Sequence, residues 1–74
     1  MLSTTEDLGR LVKEGRKALG LTQAELALTS GTGVRFISDL ENGKHTCQIG
    51  KTLTVLKTLG IRLTTYSPHS SGGR

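Results

Sequence analysis

Between Gly33 and Glu41 the chain reads Gly-Val-Arg-Phe-Ile-Ser-Asp-Leu-Glu. At helical spacing Ile37 and Leu40 share one face, which leaves Val34, Arg35, Phe36, Ser38 and Asp39 toward a partner or solvent. A guanidinium, an aromatic ring, a hydroxyl and a carboxylate set this close together offer both hydrogen bonds and apolar contact. Arg35 can donate two parallel hydrogen bonds to the edge of a guanine, which discriminates by about 1–3 kcal/mol. It can equally meet a phosphate or remain a solvated arginine. Phe36 can touch a thymine methyl or fold back as an accessory core residue, and both readings stay open. Asp39 suits a base only by accepting from a cytosine amino group. A pair with Arg35, four residues earlier, is the plainer reading.

Presenting such a set requires a rigid frame, and the preceding residues supply one. Thr22 and Glu25 have the spacing of a capping box, in which each side chain satisfies the other's backbone amide. A helix over 22–29 follows, with Leu26 and Ala27 inward. Ser30-Gly31-Thr32-Gly33 is then a turn in which Gly31 supplies a positive φ. Two short helices about a glycine turn have the local physics of a helix-turn-helix, whose second helix (here 33–41) reads DNA.

The remaining elements surround that unit. Thr4 or Thr5, followed by Glu6 and Asp7, opens a helix over 5–19 with an apolar face of Leu8, Leu11, Val12, Gly15 and Leu19. Gly20 ends it, and Asn42-Gly43 closes the helix at 41. A fourth helix fits 49–59, with Ile49, Leu53 and Leu56 along one stripe and Val55 and Leu59 beside it. Residues 61–66 (Ile61, Arg62, Leu63, Thr64, Thr65, Tyr66) change to an alternating β-branched pattern and read as a strand. A lone strand is not a sheet, so pairing with its copy in a second chain is expected, in preference to a loose tail over the core. Pro68 stops it, leaving 67–74 as a flexible tail. The expected fold is mainly all-α: a four- to five-helix helix-turn-helix domain over residues 1–66, with one C-terminal strand pairing across a homodimer.

Length and charge narrow the function. Seventy-four residues make one domain with a limited core, for which dimerisation adds burial. The net charge of +4 is unevenly placed: residues 1–32 balance four cations with four acids, whereas 33–74 carry six cations against Asp39 and Glu41. That excess suits a polyanion, although solubility alone can explain so modest a charge. No secretion signal or membrane span is expected, and Cys47, the one cysteine, fits a reducing compartment, so a cytoplasmic, nucleoid-associated protein is expected.

Other signals fail. Gly50-Lys51-Thr52 mimics the end of a phosphate-binding loop, but that motif needs a glycine at 45, where the chain has His45. Gly31-x-Gly33 lacks its third glycine, since Phe36 stands there. His45, Cys47 and His69 are too scattered for zinc. No nucleophile, base and orienting acid are assembled, so neither an enzyme nor a cofactor or metal site is expected.

Residues 5–60 resemble the Xre, or phage-repressor-like, helix-turn-helix family. The resemblance is carried by Leu21-Thr22-Gln23-x-Glu25-Leu26-Ala27, by Gly31, and by Ile37-Ser38-x-Leu40-Glu41-Asn42-Gly43-Lys44. The following helix and strand, with Arg35-Phe36-Ile37-Ser38, are more narrowly similar to HipB-type antitoxins. The resemblance implies a third helix in the major groove, with Val34, Arg35, Phe36, Ser38 and Asp39 near base edges. It implies phosphate contacts from Thr22 and Gln23, and from Lys44, His45, Thr46 and Lys51, which would otherwise be a charged loop without a partner. It further implies an Arg16–Glu41 ion pair across the domain and a dimer on a palindromic operator. The partner implied is a HipA-type serine/threonine kinase toxin. The alternatives are a stand-alone Xre-type regulator and an interaction module on this fold that has lost DNA binding.

Overall fold

Four helices make up the frame of the computed structural model, which describes residues 4–44 and 48–62: α1 (Thr5–Ala18), α2 (Gln23–Ser30), α3 (Val34–Glu41) and α4 (Ile49–Thr58). The Thr4 hydroxyl caps α1 by accepting from the Asp7 amide at 3.0 Å. Acids in its first turn and Arg16 and Lys17 in its last complement the helix dipole. The capping box of α2 is complete: the Glu25 amide donates to Thr22 Oγ1 at 3.0 Å, and the Thr22 amide donates to Glu25 Oε1 at 2.8 Å. Ser30, placed in the turn by the sequence, is the last helical residue. Its buried hydroxyl donates back to the Leu26 carbonyl at 2.7 Å.

One closure recurs at every helix end. After α2, Gly31 takes φ 72°, and the Thr32 amide donates to the Ala27 carbonyl at 2.9 Å. This six-to-one bond is the mark of a Schellman turn, and it needs a residue free of the Cβ clash in the left-handed region. The corresponding bonds run from Leu21 to Arg16, Lys44 to Asp39 and Ile61 to Leu56. Only Gly31, Thr32 and Gly33 then separate α2 from α3, so the two helices are held as a unit.

The core gathers Val12, Leu26, Ala27, Ile37, Leu40, Val55, Leu56 and Leu59, with Leu8, Leu21, Phe36 and Ile61 packed at its margin. α3 packs against both α1 and α2, and α4 packs against α2. Where α1 crosses the end of α3, Gly9 allows the backbones to touch: a Cβ there would sit 2.5 Å from the Leu40 carbonyl oxygen. The Thr5 hydroxyl fastens the same corner by donating to the Gly43 carbonyl at 2.7 Å.

Two expectations about faces are corrected. Leu19 is the C-cap of α1, beyond its last full turn, and is 56% exposed. In α4 the inward face is Thr52, Val55, Leu56 and Leu59, whereas Ile49 and Leu53 are 71% and 47% exposed. Thr52 can be buried because its hydroxyl donates to the Gln48 carbonyl at 2.9 Å. At the C-terminal end Ile61 packs on the core and, with Arg62, belongs to no regular element; residues 63–66 of the expected strand and the 67–74 tail lie outside the described residues.

Candidate nucleic-acid interface

The outer side of α3 is built by what fixes its inner side. Ile37 and Leu40 are buried, and they set the helix's rotation. Val34, in the first turn, is then 51% exposed. Arg35 is exposed and engages no side chain among the described residues, while Ser38 and Asp39 are half-buried. Phe36 is half-buried against the core, and Lys51 Nζ stands over its ring, 5.8 Å from the centroid. That contact joins α3 to the first turn of α4.

Asp39 pairs with Lys44 (Nζ to Oδ1, 3.8 Å), and not with Arg35. The Schellman turn explains the choice: the Lys44 amide donates to the Asp39 carbonyl at 3.0 Å, which carries the lysine back over the last turn of α3. At 3.8 Å, and with both side chains partly exposed, this pair contributes little stability. It does set a positive charge beside the carboxylate on this side of α3.

Arg16 and Glu41 join across the domain in a fork. Arg16 Nε donates to Glu41 Oε2 at 2.6 Å, Nη2 donates to Oε1 at 3.1 Å, and Nη1 reaches the Leu21 carbonyl at 2.8 Å. The two side chains are 11% and 3% exposed. Burial pushes the Glu41 carboxyl up, yet hydrogen bonds from Arg16 and Gln23, with the charges of Arg16 and Lys13, outweigh it and hold its pKa below the ordinary value. The bond to Glu41 raises the Arg16 pKa against its burial. Gln23 spends one N–H on Glu41 Oε1 at 3.0 Å and keeps a second donor and its carbonyl oxygen. It thereby links the buried pair to the start of α2, where Thr22 is exposed.

Helix starts divide by location. α1 and α2 are capped by threonine side chains, whereas α3 and α4 begin at Gly33 and Gln48 with no side-chain cap and no acid in the first turn. Uncapped amides at a helix start attract anions. Arg35 lies in the first turn of α3 and Lys51 in the first turn of α4, so each of these two starts carries a cation. His45 and Thr46, between α3 and α4, lie outside the described residues. Among the described residues, no group of three or more His, Cys, Asp or Glu side chains gathers that could hold a metal, and no helix is long and apolar enough to cross a membrane.

Known proteins share this arrangement. Residues 12–66 match the family model described as "Helix-turn-helix". A Sinorhizobium fredii protein described as an "Uncharacterized HTH-type transcriptional regulator y4mF" is 51% identical over 67 residues, which cover 90% of this chain and 88% of that one. A chain of the solved "HipA-HipB-O2-O3 complex" superposes with a TM-score of 0.81 at 25% identity, over 92% of this chain and 96% of that chain. The "restriction-modification controller protein C.AhdI" of Aeromonas hydrophila gives a TM-score of 0.70 at 28% identity, over 78% of this chain and 84% of that chain. Family match, curated relative and fold agree: the chain belongs to the Xre-like helix-turn-helix family of transcriptional regulators.

Proposed function

We propose that this protein is a sequence-specific DNA-binding repressor, acting as a homodimer on a palindromic operator, and that it is the HipB-type antitoxin of a HipA-type kinase toxin. The observation that carries the DNA-binding reading is an exposed Arg35, with no side-chain hydrogen bond or ion pair among the described residues, in the first turn of a helix that has no side-chain cap. In this reading α3 enters the major groove, with half-sites about one helical turn, or a multiple of it, apart. Val34, Arg35, Ser38 and Asp39 meet base edges. Thr22, Gln23, Lys44, His45, Thr46 and Lys51 meet the backbone. Bound at its own promoter, the dimer represses by blocking polymerase.

The toxin partner is supported by likeness to the HipA–HipB complex over 92% of this chain. A stand-alone regulator is the second reading, favoured by the likeness to a restriction-modification controller. Co-expression with a HipA-type kinase separates them. Suppression of kinase activity in the purified complex supports the antitoxin, and unaffected kinase supports the regulator.

DNA binding is tested by selection from random duplexes, for which a palindromic motif is expected. On that duplex, Arg35→Ala relaxes preference at one base position, at a cost of roughly 1–3 kcal/mol in discrimination. Lys44→Ala weakens all sequences alike and lowers the slope of log affinity against log salt by about 1. Equal, sequence-independent losses from both variants would remove Arg35 from base reading. Truncation after Arg62 spares the Ile61 packing and should yield monomers in sedimentation. A dimer that survives truncation places the seam elsewhere.

A further inference from the structure

The pairing of Phe36 with Lys51 gives the reading helix a second job. Phe36 packs against the core, and the Lys51 ammonium stands over its ring, 5.8 Å from the centroid. Lys51 is exposed in the first turn of α4, where no side chain caps the amides. A lysine on such a surface samples many rotamers, and ordering it on a phosphate costs entropy. An aromatic face attracts the cation and narrows that sampling before DNA arrives.

We propose that Phe36 is a positioning residue: it holds the Lys51 ammonium beside α3 for the DNA backbone, and so acts on affinity through Lys51 without reading a base. The inference rests on the DNA-binding reading and deepens it. It couples the element that selects bases to one that grips phosphate. Docking α3 in the groove therefore brings an ordered cation against the strand.

The test compares wild-type full-length protein, Phe36→Leu, Phe36→Tyr, Lys51→Ala and the Phe36→Leu/Lys51→Ala double variant, by fluorescence anisotropy over a salt series. The probes are the selected duplex and a scrambled duplex of the same composition, with thermal unfolding as a check on folding. Phe36→Leu keeps the apolar bulk and should weaken both duplexes alike by about two- to fivefold, the range of an exposed cation–π contact. Phe36→Tyr should restore binding, and Phe36→Leu should add nothing to the loss that Lys51→Ala already causes. A loss confined to the selected duplex would overturn the inference in favour of direct base contact. An equal loss from Phe36→Leu whether or not Lys51 is replaced would overturn it too, as would wild-type affinity in Phe36→Leu. If the wild type binds neither duplex in a salt-dependent way, the DNA-binding reading falls, and this inference with it.

Discussion

Arg16→Met should cost about 3–5 kcal/mol, because it strands a buried carboxylate. A chain of this length has roughly 4–11 kcal/mol in all, at about 0.05–0.15 kcal/mol per residue, so the variant is expected to lose a large share of its stability. Among the described residues Glu41 would keep only its side-chain bond from Gln23, and the Leu21 carbonyl would lose the Arg16 donor. The pH dependence identifies the cause. In the wild type the folded Glu41 pKa lies below its unfolded value. That contribution is therefore complete above the unfolded pKa of about 4.3 and is lost as pH falls through the folded one. Without the guanidinium, only Gln23 and Lys13 oppose burial, so the folded pKa rises toward or past the unfolded value. The loss of stability on acidification should therefore be smaller in Arg16→Met than in the wild type, or reversed. Urea titrations between pH 7 and 3 check this, and parallel profiles for the two proteins would show that the pair is not responsible.

Gly9→Ala is the second large effect, and its partner is Gly15→Ala in the same helix. Both gain helix propensity of up to about 1 kcal/mol. At Gly9 the new methyl meets backbone, at 2.5 Å from the Leu40 oxygen and 2.6 Å from the Glu41 oxygen. Backbone cannot rotate away, so α1 must lift from α3 and strain the Thr5–Gly43 bond and the Arg16–Glu41 fork. Overpacking of this kind costs about 1–3 kcal/mol or more. At Gly15 the nearest atom is Ile61 Cδ1 at 3.2 Å, the far end of a side chain that can turn. The unfolding temperature should fall for Gly9→Ala, and for Gly15→Ala should rise by up to about 4–8 °C. A Gly9→Ala protein as stable as wild type would mean the helices do not cross this closely.

The physical origin of each feature explains how far the sequence shows it. Helix starts and ends are legible because they depend on local chemistry: Thr22 with Glu25, and glycines where the chain must turn left-handed. Leu26, Ile37 and Leu40 are legible because their spacing admits one inner face. In α4 it admits two, since Ile49-Leu53-Leu56 and Thr52-Val55-Leu56-Leu59 both follow helical periods. The face that includes a threonine looks the less apolar of the two, yet its hydroxyl is satisfied within the helix. The role of Gly9 is hidden in the sequence because a backbone crossing depends on where a distant helix end lies. Asp39 finds Lys44 instead of Arg35 through a turn that periodicity does not encode. Phe36 is open on the sequence, and the position of α4 against α3 supplies what is missing.

The solvent side of α3 has one more consequence. Val34 and Arg35 project from a helix whose orientation is set by Ile37 and Leu40 and by the short link to α2. Both are exposed, so exchanging them should change stability by no more than about 0.5 kcal/mol. If these positions meet base edges as proposed, a gene duplicate can drift toward a new operator through them while remaining folded. Insulation between copies of such a regulator in one genome would then cost only a few substitutions.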